Sequence, residues 1–248
     1  MSHSLKGAVS SSVVFAERER PFWGFAEVFL VAAIFLPAVF AGATIMRWAA
    51  TQMQIDPELG LPMLFAQFIG YGIVFLVLKA LFTRYQEPLW ASLGWVPQPF
   101  RPTTLAIAGF ALALLMVLLG GVLQTPDVRT PFEKLLEDPV SRFGIAIFGI
   151  SLGPVVEELL FRGFLQPVLV DAMGVLPGIG VTAVLFGGMH LMQNDFIWQS
   201  GLLITLVGFT LGVVRHISGS TRASAIVHVA YNSLPFIALL SSPVSRGR

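Results

Sequence analysis

The chain has 248 residues, of which 55% are hydrophobic and 12% are charged, with a formal net charge of +1 and no cysteine. A soluble globular domain carries about a quarter charged residues, so this composition indicates an integral membrane protein. The near-neutral charge gives no support to nucleic-acid binding. The lack of cysteine excludes disulfides, thiolate catalysis and cysteine-ligated zinc.

The chain begins with a polar stretch, which we predict to be a solvated N-terminal tail over residues 1–21. It ends in the charged run Glu17-Arg18-Glu19-Arg20, just before the first apolar block. A cleavable signal peptide would place an apolar core of about 7–15 residues here, and the stretch does not have one.

Seven apolar segments follow, and most approach the roughly 20 residues that a spanning helix needs. We predict spans at 22–49, 62–82, 103–123, 143–170, 175–192, 197–214 and 225–240. The predicted fold class is therefore all-α, a polytopic transmembrane helical bundle of about seven to eight spans. The first three segments form an N-terminal group of transmembrane spans within residues 22–140.

The fourth segment carries three charged residues near its middle, Glu157, Glu158 and Arg162. A charged side chain at the bilayer centre costs about 2.5–3.5 kcal/mol, so three of them need a reason. Glu158 and Arg162 lie four residues apart, share a helix face and can pair. Glu157 points elsewhere, and an unpaired buried carboxylate can act as a general base or acid. An ion-pair cluster that only fixes helix packing is the alternative, and it suits Glu158 and Arg162 better than Glu157.

Three more polar residues interrupt later apolar segments. They are His190 in the fifth segment and His228 and Asn232 in the seventh, the last two on one helix face. A single histidine in an apolar helix is usually a packing residue, but this set on separate spans favours catalysis. In that interpretation Glu157 takes a proton from water that His190 orients. His228 and Asn232 then stabilise the oxyanion, which is a large term in acyl transfer.

These residues fall into three short motifs. The sequence contains Glu157-Glu158-Leu159-Leu160-Phe161-Arg162, then Phe186-Gly187-Gly188-Met189-His190, then His228-Val229-Ala230-Tyr231-Asn232. They fit the patterns Glu-Glu-x-x-x-Arg, Phe-x-x-x-His and His-x-x-x-Asn. In this order, and inside apolar spans, they resemble the CAAX protease and bacteriocin-processing family, also called the Abi family, over roughly residues 140–240.

The resemblance implies a helical intramembrane endopeptidase of the CAAX prenyl protease type, with its catalytic core at 141–242 and a cavity open to the membrane and cytoplasm. It implies that Glu157 and His190 activate water, that His228 and Asn232 form the oxyanion site, and that Glu158 and Arg162 hold the site together. No cofactor or metal is required.

The expected partners are the lipid bilayer and a membrane-associated substrate, either a prenylated protein or an unprenylated peptide, pheromone, bacteriocin or membrane protein. The short loops and plain tail favour a prokaryotic cytoplasmic membrane, where prenylated substrates are uncommon.

Three other functions compete with this prediction. Glu157, His190 and His228 could form a zinc site with water as fourth ligand, although no His-Glu-x-x-His helix is present. Intramembrane glutamate and histidine also mark ion paths in transporters, but the inverted repeats typical of transporters are not visible. A non-catalytic immunity or scaffold protein would bind a membrane peptide and cut nothing, and would tolerate Glu157→Gln.

Overall fold

A computed structural model describes residues 21–126 and 134–241, and within these ranges the regular structure is entirely helical. We number the helices in chain order, with bounds α1 Phe25–Gln52, α2 Gly60–Arg84, α3 Leu89–Ser92, α4 Pro102–Val122, α5 Pro139–Gly149, α6 Leu152–Met173, α7 Val175–His190, α8 Trp198–Ser218 and α9 Thr221–Ser241. The predicted all-α class is confirmed. The predicted tail, apart from Pro21, lies outside the described residues, as does residue 242.

The predicted spans correspond to helices, with two exceptions. The span predicted at 143–170 is interrupted, and the span predicted at 175–192 corresponds to a short helix. Among the described residues, five helices are long and apolar enough to cross a membrane, namely α1, α2, α4, α8 and α9. The pair α5 and α6 makes a sixth crossing if it is counted as one span, and α7 is a shorter apolar helix of 16 residues. This count agrees roughly with the seven to eight spans predicted. The described helices therefore form an integral membrane bundle.

The fourth predicted span, 143–170, is not one straight helix. It is broken between α5 and α6, which meet at an angle of 42°. Pro154 explains the break, because it has no N–H for the Ile150 carbonyl and its ring clashes with that carbonyl in a continuous helix. The break also releases the Gly149 carbonyl from helical pairing, and Asn232 uses that carbonyl as a hydrogen-bond acceptor.

Helix α6 changes form immediately after the two glutamates. Residues Leu159–Leu165 form a π-helical stretch, and the helix returns to α geometry at Gln166. Pro167 lies one turn beyond Gly163 and offers no N–H to the Gly163 carbonyl, which favours a widened turn. Such turns are common at functional sites. The predicted motif residue Arg162 lies in this widened turn.

The segment before α1 packs against the widened turn of α6. The indole Nε1 of Trp23 donates to the Phe164 carbonyl at 3.0 Å, and the two rings stack with centroids 5.7 Å apart. Both side chains are buried, in one cluster with Leu78 and Phe82 of α2. Trp23 therefore links the N-terminal group of helices to the helix that carries the first motif.

The connection between α2 and α4 holds the start of α9. The Thr221 hydroxyl donates to the Leu93 carbonyl at 2.7 Å, and the Thr221 N–H donates to the Gly94 carbonyl at 2.8 Å. Arg215, near the end of α8, donates from Nε to the same Thr221 hydroxyl at 2.9 Å. These bonds anchor the end of α9 that lies two turns before His228.

Helix α9 packs against α4, α5, α6 and α8. The closest approach to α4 is at Gly109, where an added Cβ would meet the Val227 carbonyl and lie 2.7 Å from the Ala230 Cβ. Both neighbours are parts of a helix, so they cannot move independently. Small residues of this kind allow close packing of membrane helices. Gly109 thus sets the distance between α4 and the part of α9 that carries His228.

We expect Gly109→Ala to lower the free energy of unfolding by about 1–3 kcal/mol, because overpacking a close contact costs this much. Gly121→Ala is the matched control in the same helix, since nothing lies within 4 Å of its added Cβ. Both variants would be unfolded by SDS titration in mixed micelles. Equal stability of the two variants would show that the α4–α9 contact is looser than described.

Candidate active site

The site is built around Arg162, which has no exposed surface. Its Nη1 donates to Glu158 Oε1 at 2.8 Å, and its Nη2 donates to the Gly208 carbonyl of α8 at 2.8 Å. Its guanidinium carbon lies 4.4 Å from the centroid of the Phe186 ring of α7. The predicted pairing of Glu158 and Arg162 is thus observed, and the same arginine also fixes α7 and α8 against α6.

His228 lies between the two glutamates. Its Nδ1 is 3.0 Å from Glu158 Oε1, and its Nε2 is 3.8 Å from Glu157 Oε2. An ionised carboxylate only accepts hydrogen bonds, so Nδ1 carries a hydrogen and donates a hydrogen bond to Glu158. Glu157, predicted to have no local partner, therefore has a partner on another helix. Its side chain keeps 17% of its surface exposed, while that of Glu158 has none.

The charges of this cluster balance in one protonation state. Glu157 and Glu158 contribute two negative charges, and Arg162 contributes one positive charge. A protonated His228 imidazolium brings the sum of the four groups to zero. Because an uncompensated charge is costly away from water, this state suits a site inside a membrane bundle. It also makes Nε2–H a hydrogen-bond donor on the side that faces Glu157.

His190 is the last residue of α7, and its ring is fixed from within its own helix. Nδ1 lies 2.8 Å from the Phe186 carbonyl. A carbonyl can only accept, so Nδ1 carries the proton and Nε2 of the neutral ring is an acceptor. The Phe186 ring contacts both imidazoles, with centroids 4.7 Å from His190 and 5.8 Å from His228. The Phe186 ring therefore helps to set the distance between the two imidazoles.

Asn232 lies one turn beyond His228 in α9 and is half-buried. Its Nδ2 donates to the Gly149 carbonyl at 2.8 Å, at the break between α5 and α6. An amide nitrogen carries two hydrogens, so one remains for another acceptor. The break in the fourth span thus fixes the orientation of this amide.

The structure brings four of the six predicted residues into one chain of contacts, from Arg162 through Glu158 and His228 to Glu157. His190 is linked to His228 through the Phe186 ring, and Asn232 lies one turn beyond His228 in α9. Within the ranges described, no group of three or more His, Asp or Glu side chains is arranged to hold a metal ion. The catalytic roles of the six residues remain predictions.

Two polar residues near this site were not among those predicted. Gln67 and Tyr71 lie four residues apart in α2, and Gln67 Nε2 donates to the Tyr71 hydroxyl at 2.8 Å. Tyr71 is buried in one cluster with Phe148 and Val156, the residue that precedes Glu157. The available signal was two polar side chains on one face of an apolar span, which is the same pattern that singled out His228 and Asn232.

We expect Arg162→Met to destabilise the protein by about 3–5 kcal/mol, because it leaves the Glu158 carboxylate buried without its cation. Arg47→Met is the control, since the Arg47–Glu58 pair at 2.7 Å is about two-thirds exposed and should contribute no more than about 1 kcal/mol. The measurement is unfolding by SDS titration. The double variant Glu158→Gln/Arg162→Met should recover part of the loss, and failure of the single variant to differ from Arg47→Met would contradict this account.

Comparison with known proteins gives one match, and it covers the helices that carry the site. Residues 139–234 match the family model described as type II CAAX prenyl endopeptidase Rce1-like. No curated protein and no solved structure matches the chain. The matched segment begins at the first residue of α5 and includes all three motifs. The resemblance predicted from those motifs is therefore confirmed for residues 139–234, which match the Rce1-like family model.

Proposed function

We propose that this protein is an intramembrane endopeptidase of the CAAX prenyl protease type, in which Glu157 activates water for attack on a peptide bond. The observation that carries the proposal is the contrast between the two adjacent glutamates. Glu158 is fully buried and committed to Arg162 and His228, whereas Glu157 is partly exposed and touches His228 only at 3.8 Å. One carboxylate thus holds the cluster together, and the other is available to a substrate.

The reaction needs a base that later acts as an acid. Glu157 takes a proton from water, and the oxygen of that water bonds to the carbonyl carbon of the substrate. The carbonyl oxygen becomes an oxyanion. When the C–N bond breaks, Glu157 returns the proton to the leaving nitrogen, so the products are a carboxylic acid and an amine. General acid–base catalysis of this kind contributes about 10²–10⁴-fold.

His190 and His228 suit different parts of this reaction. The acceptor Nε2 of His190 would take a hydrogen bond from the attacking water and orient its lone pair towards the carbonyl. The Nε2–H of a protonated His228, with the remaining amide hydrogen of Asn232, would stabilise the oxyanion. Glu158 supports the second role, because it accepts a hydrogen bond from His228 Nδ1 and holds the ring with Nε2 towards Glu157.

The proposed substrate is a membrane-associated peptide or protein, prenylated or not, and the proposed location is a prokaryotic cytoplasmic membrane. Support for a substrate that arrives from the lipid comes from the apolar exterior of the bundle. Large apolar side chains such as Phe40, Leu118 and Val184 have more than half of their surface exposed. Such surfaces are compatible with lipid, so a lipidated or apolar substrate can approach the helices without first entering water.

The first test compares host cells that express the wild type, Glu157→Gln or Glu58→Gln. The termini of membrane-associated peptides are identified by mass spectrometry at equal levels of folded protein. We expect a new terminus with the wild type and with Glu58→Gln, which changes an exposed salt-bridge partner, and its loss by at least about 10²-fold with Glu157→Gln. Identical termini in all three strains would favour a non-catalytic immunity or scaffold function.

A second test addresses the zinc alternative. Purified wild type is incubated with 1,10-phenanthroline and then assayed on a synthetic peptide that spans the cleavage site defined by the first test. In the proposed mechanism Glu157 and His190 activate the water directly, so the rate should stay within about twofold of the untreated enzyme. Loss of activity that is restored by added zinc would overturn this mechanism in favour of a His2Glu metal site.

A further inference from the structure

The N-terminal group of helices places one chemically active side chain beside the site. Tyr71 of α2 accepts a hydrogen bond from Gln67 Nε2 at 2.8 Å. A phenol also carries one hydrogen to donate. Among the described residues, the Tyr71 hydroxyl accepts this hydrogen bond and donates none. Gln67 therefore orients a buried hydroxyl whose own proton remains available.

The position of Tyr71 is defined by two residues that adjoin the site in sequence. Its ring stacks on Phe148, with centroids 6.4 Å apart and planes 22° apart. Phe148 directly precedes Gly149, whose carbonyl anchors Asn232. Tyr71 also shares a buried cluster with Val156, the residue before Glu157. The tyrosine thus packs beside the helix break, together with the residues that directly precede Gly149 and Glu157.

The oxyanion needs donors, and those already assigned are partly occupied. Asn232 gives one of its two amide hydrogens to Gly149, and the Nε2 side of His228 faces the Glu157 carboxylate. A substrate carbonyl that displaces neither contact receives one free amide hydrogen and a shared imidazolium. A neutral hydroxyl from a third helix would complete the set without adding charge to a balanced cluster.

We propose that Tyr71 is a catalytic residue that donates its Oη–H to the carbonyl oxygen of the scissile bond, and that Gln67 is the positioning residue that holds this hydroxyl. The inference rests on the proposed function and extends it, because it gives α2, outside the Rce1-like segment, a direct part in the reaction. The hydrogen bond strengthens as the carbonyl oxygen gains negative charge, so its contribution falls mainly on kcat.

The test uses full-length purified variants and the synthetic peptide that spans the mapped cleavage site. Tyr71→Phe keeps the ring on Phe148 and removes only the hydroxyl, and we expect kcat to fall about 10–100-fold with KM changed less than about threefold. Tyr85→Phe is the matched control, because the Tyr85 hydroxyl bonds Glu27 at the far end of α2. Its kcat should equal that of the wild type.

The role of Gln67 is tested with a double-mutant cycle with Tyr71 rather than with the single substitution alone. Gln67→Met removes the donor at similar length and should slow the wild-type background several-fold. In the Tyr71→Phe background it should have no further effect on kcat, because the hydroxyl that it orients is gone. A purely structural role for Gln67 would lower both backgrounds equally, which would overturn the positioning role.

The outcomes separate this inference from the function on which it rests. A wild type that cleaves, with Tyr71→Phe equally active and equally stable, overturns the role of Tyr71 and leaves the endopeptidase intact. A wild type that produces no cleaved terminus overturns the proposed function and the role of Tyr71 together. If Tyr71→Phe loses both stability and activity, kcat is calculated per folded molecule. A wild-type kcat on that basis also overturns the inference.

Discussion

The arrangement of the site helices depends on one buried interaction, the contact of the Arg162 guanidinium with Glu158, the Gly208 carbonyl and the Phe186 ring. A guanidinium can satisfy several acceptors in one plane, and here these partners come from α6, α7 and α8. Through Glu158 the network extends to His228 of α9. The removal of two charges from water is expensive, so the cost is offset only while all of these helices keep their places. A single side chain therefore couples the geometry of the four helices.

The same network places the adjacent residues Glu157 and Glu158 in different environments. Consecutive positions on a helix point about 100° apart, so Glu158 can face the interior while Glu157 faces a partly open space. His228 contacts both carboxylates, so the fixed position of Glu158 also restrains the imidazole next to Glu157. This arrangement gives the chain a carboxylate that lies 3.8 Å from His228 Nε2 and keeps part of its surface exposed. It explains why two neighbouring glutamates have such different exposure.

Much of this architecture could be predicted from local patterns, and the part that could not depends on tertiary contacts or on proline. Apolar length predicted the helices, and the four-residue spacing predicted the Glu158–Arg162 pair. Pro154 and Pro167 lie inside the fourth apolar segment, and the length criterion that predicted a single span takes no account of proline, so it predicted neither the bend nor the widened turn. The place of Tyr71 follows from the packing of α2 on α5, which no spacing within α2 can reveal. The division of the chain near residue 140 remains a prediction.

Helix α7 has only 16 residues, which corresponds to about 24 Å at 1.5 Å per residue. The hydrocarbon core of a typical bilayer is about 30 Å thick, so α7 is too short to match it. A short apolar helix is accommodated by local thinning of the bilayer around it, at a cost of fractions of a kcal/mol per ångström. His190 is the last residue of this helix, so a mismatch at this end would bring the polar region of the bilayer closer to the histidine. In the proposed mechanism, the thickness of the lipid next to α7 would therefore affect how far water travels to reach His190, and acyl-chain length would influence the rate.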